Sequence, residues 1–376
     1  MLRIRLLLPL LGCALLPLTA CDDPASDVGI GLVEAGAEPV VRTLAASTFE
    51  EMIFADITGG TERMLSGRVN DPLIGTIDAI GYLDFASMFD VADTSPITSV
   101  TLNLTRNYVY GDTTMPVTLD VYDLADEWNA LGAPADTSLT LGEQVTSITF
   151  MPLDTLVSIP LPSEWIEANE TTLRSSTFSE SFHGLALQSM TAEAVAGFAV
   201  SQSSFRVITE QDTFSFSISK SLSGLQRTGE PSLPEGRILL QDGAGPIVKL
   251  NFDFDGLEEA PLNGAIVRLF ADTLSVLETP PNFVRPRVET LQLVRIDSDE
   301  QAFLIAEATL SDGGDYRFSD LALRNILQQV FFGETLFEHL ELRVPFSAST
   351  LNVMLLYDAA SGDTAPEALL TISPTD

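Results

Sequence analysis

Val100-Thr101-Leu102-Asn103-Leu104-Thr105 places an apolar side chain at every second position and a polar one between. A strand turns successive side chains to opposite faces, so this stretch reads as a strand with one face buried and one wet. The same alternation returns in Val117-Leu119-Val121, Leu185-Leu187, Phe214-Phe216-Ile218 and Val248-Leu250-Phe252-Phe254. Turn-forming groups punctuate the runs at Asn70-Asp71-Pro72, Tyr110-Gly111-Asp112, Asp242-Gly243 and Asp312-Gly313-Gly314. Many short strands with regular turns predict a mainly β fold of antiparallel, jelly-roll-like β-sandwiches.

Two helices interrupt the pattern. From Ser319 onward, Leu323, Ile326, Leu327, Val330 and Phe331 fall on one helical face, with Gly333 placed to end the helix. A shorter helix starts at Ser163 and carries Trp165 and Ile166. Around each helix the order of elements repeats. Strands over 97–105 and 117–124 precede the first helix and Phe182-His183-Gly184-Leu185-Ala186-Leu187 follows it. Strands over 262–270 and 288–296 precede the second, and Glu338-His339-Leu340-Glu341-Leu342 follows. The repetition predicts two related β-sandwich modules with one short helix each, at 49–230 and 236–376, joined where Gly, Pro and Ser cluster between Gly229 and Gly236.

The N-terminus reads as a processing signal. Arg3 and Arg5 precede the apolar run Leu6 to Leu18, which is shorter than the roughly 20 residues of a spanning helix. The run ends in Leu18-Thr19-Ala20-Cys21, which matches the lipobox of bacterial lipoproteins: small residues fit the peptidase and the thiol takes the diacylglycerol. Residues 1–20 are therefore expected to be a cleaved signal peptide, Cys21 the lipidation site, and 21–48 a tether. Of the two cysteines, Cys13 leaves with the leader, so the mature chain has no pair for an internal disulfide. Asp22-Asp23 after the lipid-bearing residue has two opposed meanings, inner-membrane retention in some Gram-negative lineages and surface export in Bacteroidetes-type ones. The outer membrane or cell surface is the favoured expectation.

Composition narrows the partners. The chain carries 53 acidic against 19 basic residues and 45% hydrophobic residues, ample for packed cores. Its only lysines are Lys220 and Lys249. So acidic a body repels nucleic acid and anionic headgroups. Its membrane partner is expected to be reached through the lipid.

Catalytic signatures are scarce. There is no Gly-x-Ser-x-Gly elbow, no His-Glu-x-x-His helix and no phosphate-binding glycine loop. His183 and His339 sit at similar places in the repeats and read as local hydrogen-bonding groups in separate modules rather than a shared metal pair. Asn251, Asp253 and Asp255, with Gly256, resemble the first half of a calcium loop. Leu262, however, stands where a bidentate Glu is needed, and the same residues also read as the wet face of a strand. Trp128, Trp165, Tyr108 and Tyr110 read either as sugar-stacking aromatics or as packing.

Several stretches together resemble an uncharacterised lipoprotein family of Bacteroidetes-type bacteria, the domain of unknown function numbered 4270. They are Asp27-Val28-Gly29, residues 65–76 (Leu65-Ser66-Gly67-Arg68-Val69-Asn70-Asp71-Pro72-Leu73-Ile74-Gly75-Thr76), Ser99-Val100-Thr101-Leu102, Tyr110-Gly111-Asp112, Val121-Tyr122-Asp123-Leu124, Gly243-Ala244-Gly245 and Leu262-Asn263-Gly264-Ala265. The resemblance implies a surface-attached, β-rich protein and brings no catalytic residues. The order of strand, helix and Gly184-Leu185-Ala186-Leu187 is similar to carbohydrate-binding-like jelly-roll modules. The expected function is a non-enzymatic binding or structural role at the cell envelope, with a glycan or an envelope protein as partner. The alternative is a polysaccharide hydrolase working through paired carboxylates. Mass spectrometry of protein from native envelopes is expected to find an acylated Cys21 as the first residue, and Cys21→Ser to leave an unlipidated precursor.

Overall fold

The computed structural model describes residues 38–53, 57–86, 95–175, 178–243, 245–255, 261–332, 337–345 and 350–373. The leader, Cys21 and the tether up to residue 37 lie outside them. Among the described residues the chain is mainly β and its strands are paired antiparallel.

The strand β1 (Val40–Ile53) opens the described chain. The first half then runs β2 (Arg63–Asp71), β3 (Gly75–Phe85), β4 (Ile97–Asp112), β5 (Val117–Leu124), β6 (Leu141–Phe150), β7 (Leu156–Pro160), α1 (Ser163–Leu173), α2 (Phe178–Ser181), β8 (Leu185–Ser189), β9 (Glu193–Ala199), β10 (Ser204–Thr209) and β11 (Thr213–Thr228). The second half runs β12 (Arg237–Gln241), β13 (Pro246–Phe252), β14 (Leu262–Phe270), α3 (Thr273–Leu277), β15 (Phe283–Val284), β16 (Thr290–Ile296), β17 (Ala302–Thr309), β18 (Asp315–Phe318), α4 (Leu321–Phe331), β19 (His339–Arg343), β20 (Val353–Tyr357) and β21 (Glu367–Ile372).

The pairings of the two halves correspond strand by strand. In the first, β3 pairs β8, β8 pairs β5 and β5 pairs β6. In the second, β13 pairs β19, β19 pairs β16 and β16 pairs β17. Likewise β4 lies between β7 and β10 as β14 lies between β18 and β21, and β2 pairs β9 as β12 pairs β20. The long strand β11 pairs β10 with its first part and β3 with its second. Its counterpart is β1, which pairs β21 and then β13. Each long strand precedes one half in sequence and completes the sheet of the other.

This arrangement corrects the expected boundaries. Residues 40–48, read as tether, are strand, and Phe49–Ile53, read as the start of the first module, belong to the second sheet. A bulge between Ala46 and Thr48 shifts the phase of β1 midway, which hides its alternation. Tyr110-Gly111-Asp112, read as a turn, continues β4. The second expected helix is α4, capped by Asp320 rather than Ser319. The short helices α2 and α3 were not expected.

Among the described residues three apolar clusters hold the fold. One lies within the first half, where Phe178, Phe205 and Phe216 pack with Trp165 of α1. A small one surrounds Tyr82 and Trp128. The largest draws on both halves, joining Leu65, Ile74 and Tyr110 to Leu240, Leu291 and Leu355. Its centre is the ribbon of β12 and β20, in which Leu239, Leu240, Val353, Met354, Leu355 and Leu356 are all fully buried. A ribbon apolar on both faces is a strand pair covered on both sides.

One ion pair crosses this core. Arg285 donates from Nε and Nη2 to the two carboxylate oxygens of Asp71, both at 2.7 Å, and from Nη1 to the carbonyls of Val276 and Glu278. Tyr110 donates to the same carboxylate at 2.5 Å. Both charged side chains are buried, so removing the cation strands the anion. Arg285→Met is expected to cost about 3–5 kcal/mol in urea unfolding. Arg268→Met should cost much less, because its partner Asp315 keeps Arg317.

Candidate functional site

Three backbone irregularities converge on one cleft. Asn107 is the extra residue of a bulge in β4, where the pairing with β9 shifts between Arg106 and Tyr108. A 3₁₀ turn over Val200–Gln202 separates β9 from β10. The pairing of β11 with β3 shifts between Ile218 and Lys220. Bulges re-aim side chains out of a regular ladder and are common beside binding sites. Here they leave a cavity of about 450 Å³, lined among others by Thr61, Glu62, Arg63, Asn107, Ala199 and Gln202.

Arg63, the first residue of β2, is the centre of the cleft. Its Nε donates to Asn107 Oδ1 at 2.8 Å, and its guanidinium lies 5.1 Å from the centroid of the Tyr108 ring. A Cβ on Gly197 would fall 2.4 Å from Arg63 Cδ and 2.7 Å from Tyr108 Cβ, so the stack requires glycine there. Burial lowers the Arg63 pKa, against the attraction of Tyr108, Asp242 and Glu62. The Tyr108 hydroxyl points away from the cleft, accepting from Leu351 N at 3.1 Å and donating to Asn352 Oδ1 at 3.3 Å.

The second half holds the counterpart of this site in another state. Arg63 pairs with Ala199 and Arg106 with Phe198; Arg237 pairs with Tyr357 and Ala271 with Leu356. Arg237 is thus the equivalent of Arg63, Tyr357 of Ala199, and Asp272 of Asn107. Arg237 Nε donates to Asp272 Oδ2 at 2.7 Å, and its guanidinium lies 3.6 Å from the centroid of the Tyr357 ring.

The residues expected from the sequence lie elsewhere. Trp128 and Trp165 are buried; they donate to the carbonyl of His183 and to the carboxylate of Asp123, and neither offers a face to a sugar. Tyr110 is also buried, in the Asp71 pair. Strand registers align Leu185 and Leu187 with Leu340 and Leu342, so His183 corresponds to Glu338 and not to His339. His339 Nε2 lies 3.0 Å from Glu341, which Arg343 holds from its other side. Asn251 is paired in β13, and Asp253 accepts from the backbone N–H of Asp255; Gly256 lies outside the described residues. Among the described residues no three His, Cys, Asp or Glu side chains gather around a common point. Another cavity, of about 270 Å³, has Asp78 and Asp136 among its lining residues beside Gly224, and Asp78 is paired to Arg68.

Sequence reasoning did not single out Arg63, Asn107 or Gln202. The available signal was the parallel between Arg63-Met64-Leu65 and Arg237-Ile238-Leu239, which the repeat reading did not extend that far. No protein-family model, curated protein or solved structure matches the chain. No helix among the described residues is long and apolar enough to cross a membrane.

Next to the cleft lies a buried carboxylate. Asp242 accepts from the backbone N–H and the hydroxyl of Thr350, yet burial pushes its pKa up to about 6. In the unfolded chain the group titrates near 3.8, so the folded chain holds the extra proton between these values. Stability from this group is full below the lower value and is lost as pH rises through the higher one, about 3 kcal/mol in all. Asp242→Asn is expected to remove about 2 kcal/mol of the stability difference between about pH 4.5 and about pH 7.5, read by denaturant unfolding.

Proposed function

We propose that this chain is an exported lipoprotein, anchored through Cys21, whose β-rich body has a non-enzymatic binding role at the cell envelope, with the Arg63 cleft as its binding site. The observation that carries the reading is the contrast between the halves: one copy of a duplicated site is plugged by the protein's own tyrosine, and the other is open. The short leader, the terminal cysteine and the resemblance to surface lipoproteins support an outer-membrane or cell-surface position. An acidic, lysine-poor body supports a partner other than nucleic acid. The alternative, a hydrolase of polysaccharides, draws on the cavity that Asp78 and Asp136 both line.

A photo-crosslinking residue at Gln202, in envelopes of the native host, tests the reading together with a panel of labelled envelope glycans. The expected result is one discrete adduct or one retained glycan class, lost in Arg63→Ala and missing when the crosslinker stands at the exposed turn residue Gln301. Hydrolysis of a retained glycan, abolished by Asp136→Asn, would favour the alternative. Absence of adduct, retention and hydrolysis would overturn both.

A further inference from the structure

Four strands of the first half present a face that carries no carboxylate. The first parts of β4 and β11, with β7 and β10 beside them, turn Leu102, Ile159, Phe205 and Phe216 into the core. On the opposite face the register places Arg206 between Thr101 and Ser215, and Ser204 between Asn103 and Ser217. Ser158 follows beyond Asn103. No Asp or Glu occurs in residues 97–105, 156–160, 204–209 or 213–220, in a chain with 53 of them. Glu210 and Asp212 lie beyond one end of the face, in the loop that joins β10 to β11. Arg206 is exposed, and its side chain has no hydrogen bond or ion pair among the described residues. Ser158 Oγ donates to Asn103 Oδ1 at 2.8 Å, which leaves the Asn103 amide nitrogen as a donor.

The corresponding face of the second half is closed by its own charges. With Arg106 aligned to Ala271, Asn103 corresponds to Arg268, Ser204 to Glu367, Ser158 to Arg317 and Arg206 to Leu369. Asp315 holds both Arg268 and Arg317, and Glu367 lies 3.5 Å from Arg268. The first half thus has neutral polar groups where the second has ion pairs, and a cation where the second has a leucine.

We propose that this face binds a glycan with isolated carboxylates, Arg206 holding one carboxylate while the hydroxyl and amide groups around it meet sugar hydroxyls. This rests on the binding role proposed above and adds a site made of residues other than those that line the Arg63 cleft. A guanidinium meets a carboxylate through two parallel hydrogen bonds, a match that lysine cannot make. One cation suits sparse charge, because the acidic remainder of the chain repels a densely charged polymer. The neighbours of Arg206 are small and polar, without the aromatic side chains on which protein partners most often anchor.

The test titrates the full mature chain in detergent with two probes, a hyaluronan tetrasaccharide and a glucuronoxylan oligosaccharide, each also in carboxyl-reduced form. At least one probe is expected to bind, and its reduced form about tenfold more weakly or worse. Arg206→Gln should weaken binding about tenfold and Arg206→Lys less, since lysine keeps the charge without the fork. Ser204→Glu gives the face the residue type of the second half and should abolish binding. Arg206 and Ser204 lie on the solvent side, so the unfolding midpoints of these variants are expected to match that of the wild type. Undiminished binding to Arg206→Gln overturns the proposal, as does equal binding of the reduced forms or binding of neither probe. Binding lost in Arg63→Ala but kept in Arg206→Gln also overturns it, yet leaves the cleft as the binding site. Self-association that Arg206→Gln abolishes, with no glycan bound, overturns it in favour of the acidic surface of a second copy.

Discussion

The strand β1 sits between β13 and β21, and much of the architecture depends on that placement. It enters from the N-terminal side, yet its ladder partners both lie in the C-terminal half. The strand that could take the same part in the first half, β11, is the one that leads into the second. The two halves are thus threaded through each other, because each needs a strand that the chain supplies next to the other. Its first part pairs β21 and its second part pairs β13, so withdrawing β1 would expose an edge of each of those strands. A tether attached ahead of β1 would consequently pull on the C-terminal half first.

The crossing brings polar groups of one half into the core of the other. Asp71 at the end of β2 reaches Arg285, and Tyr108 of β4 reaches Leu351 and Asn352. These contacts are expensive to bury and each is fully met by hydrogen bonds, so they fix one arrangement of the halves against apolar surfaces that would tolerate several. Residues Phe283–Val284 extend the same logic, leaving the second half to add a short rung to β4.

The regular parts of this design are legible in the amino-acid sequence. Val100, Leu102 and Leu104 are buried as their alternation requires, and Leu323, Leu327 and Phe331 face the core as the helical period requires. The order of strands around α1 and α4 also follows from the repeat. The irregular parts are not legible, and the reasons are physical. In β1 a bulge reverses the phase of the alternation. In β12 and β20 the apolar run has no period at all, because both faces are covered. The candidate site is built from such irregularities, since Asn107 matters as the extra residue of a bulge and Ala199 matters for what it lacks. A small side chain carries no signal until its larger counterpart is aligned with it.

Charge gives the site its last distinguishing feature. In a chain with 53 acidic and 19 basic residues, arginines are drawn to carboxylates. Arg68, Arg174, Arg237, Arg268, Arg285, Arg287, Arg317 and Arg343 each lie within ion-pair distance of Asp or Glu. Arg63 Nε meets an amide at the place where its counterpart meets Asp272. Replacing that carboxylate by Asn107 gives up a charge-assisted hydrogen bond worth more than a neutral one. The cavity and the amide partner thus occur in the same copy, while the ring of Tyr357 and the carboxylate of Asp272 occur in the other.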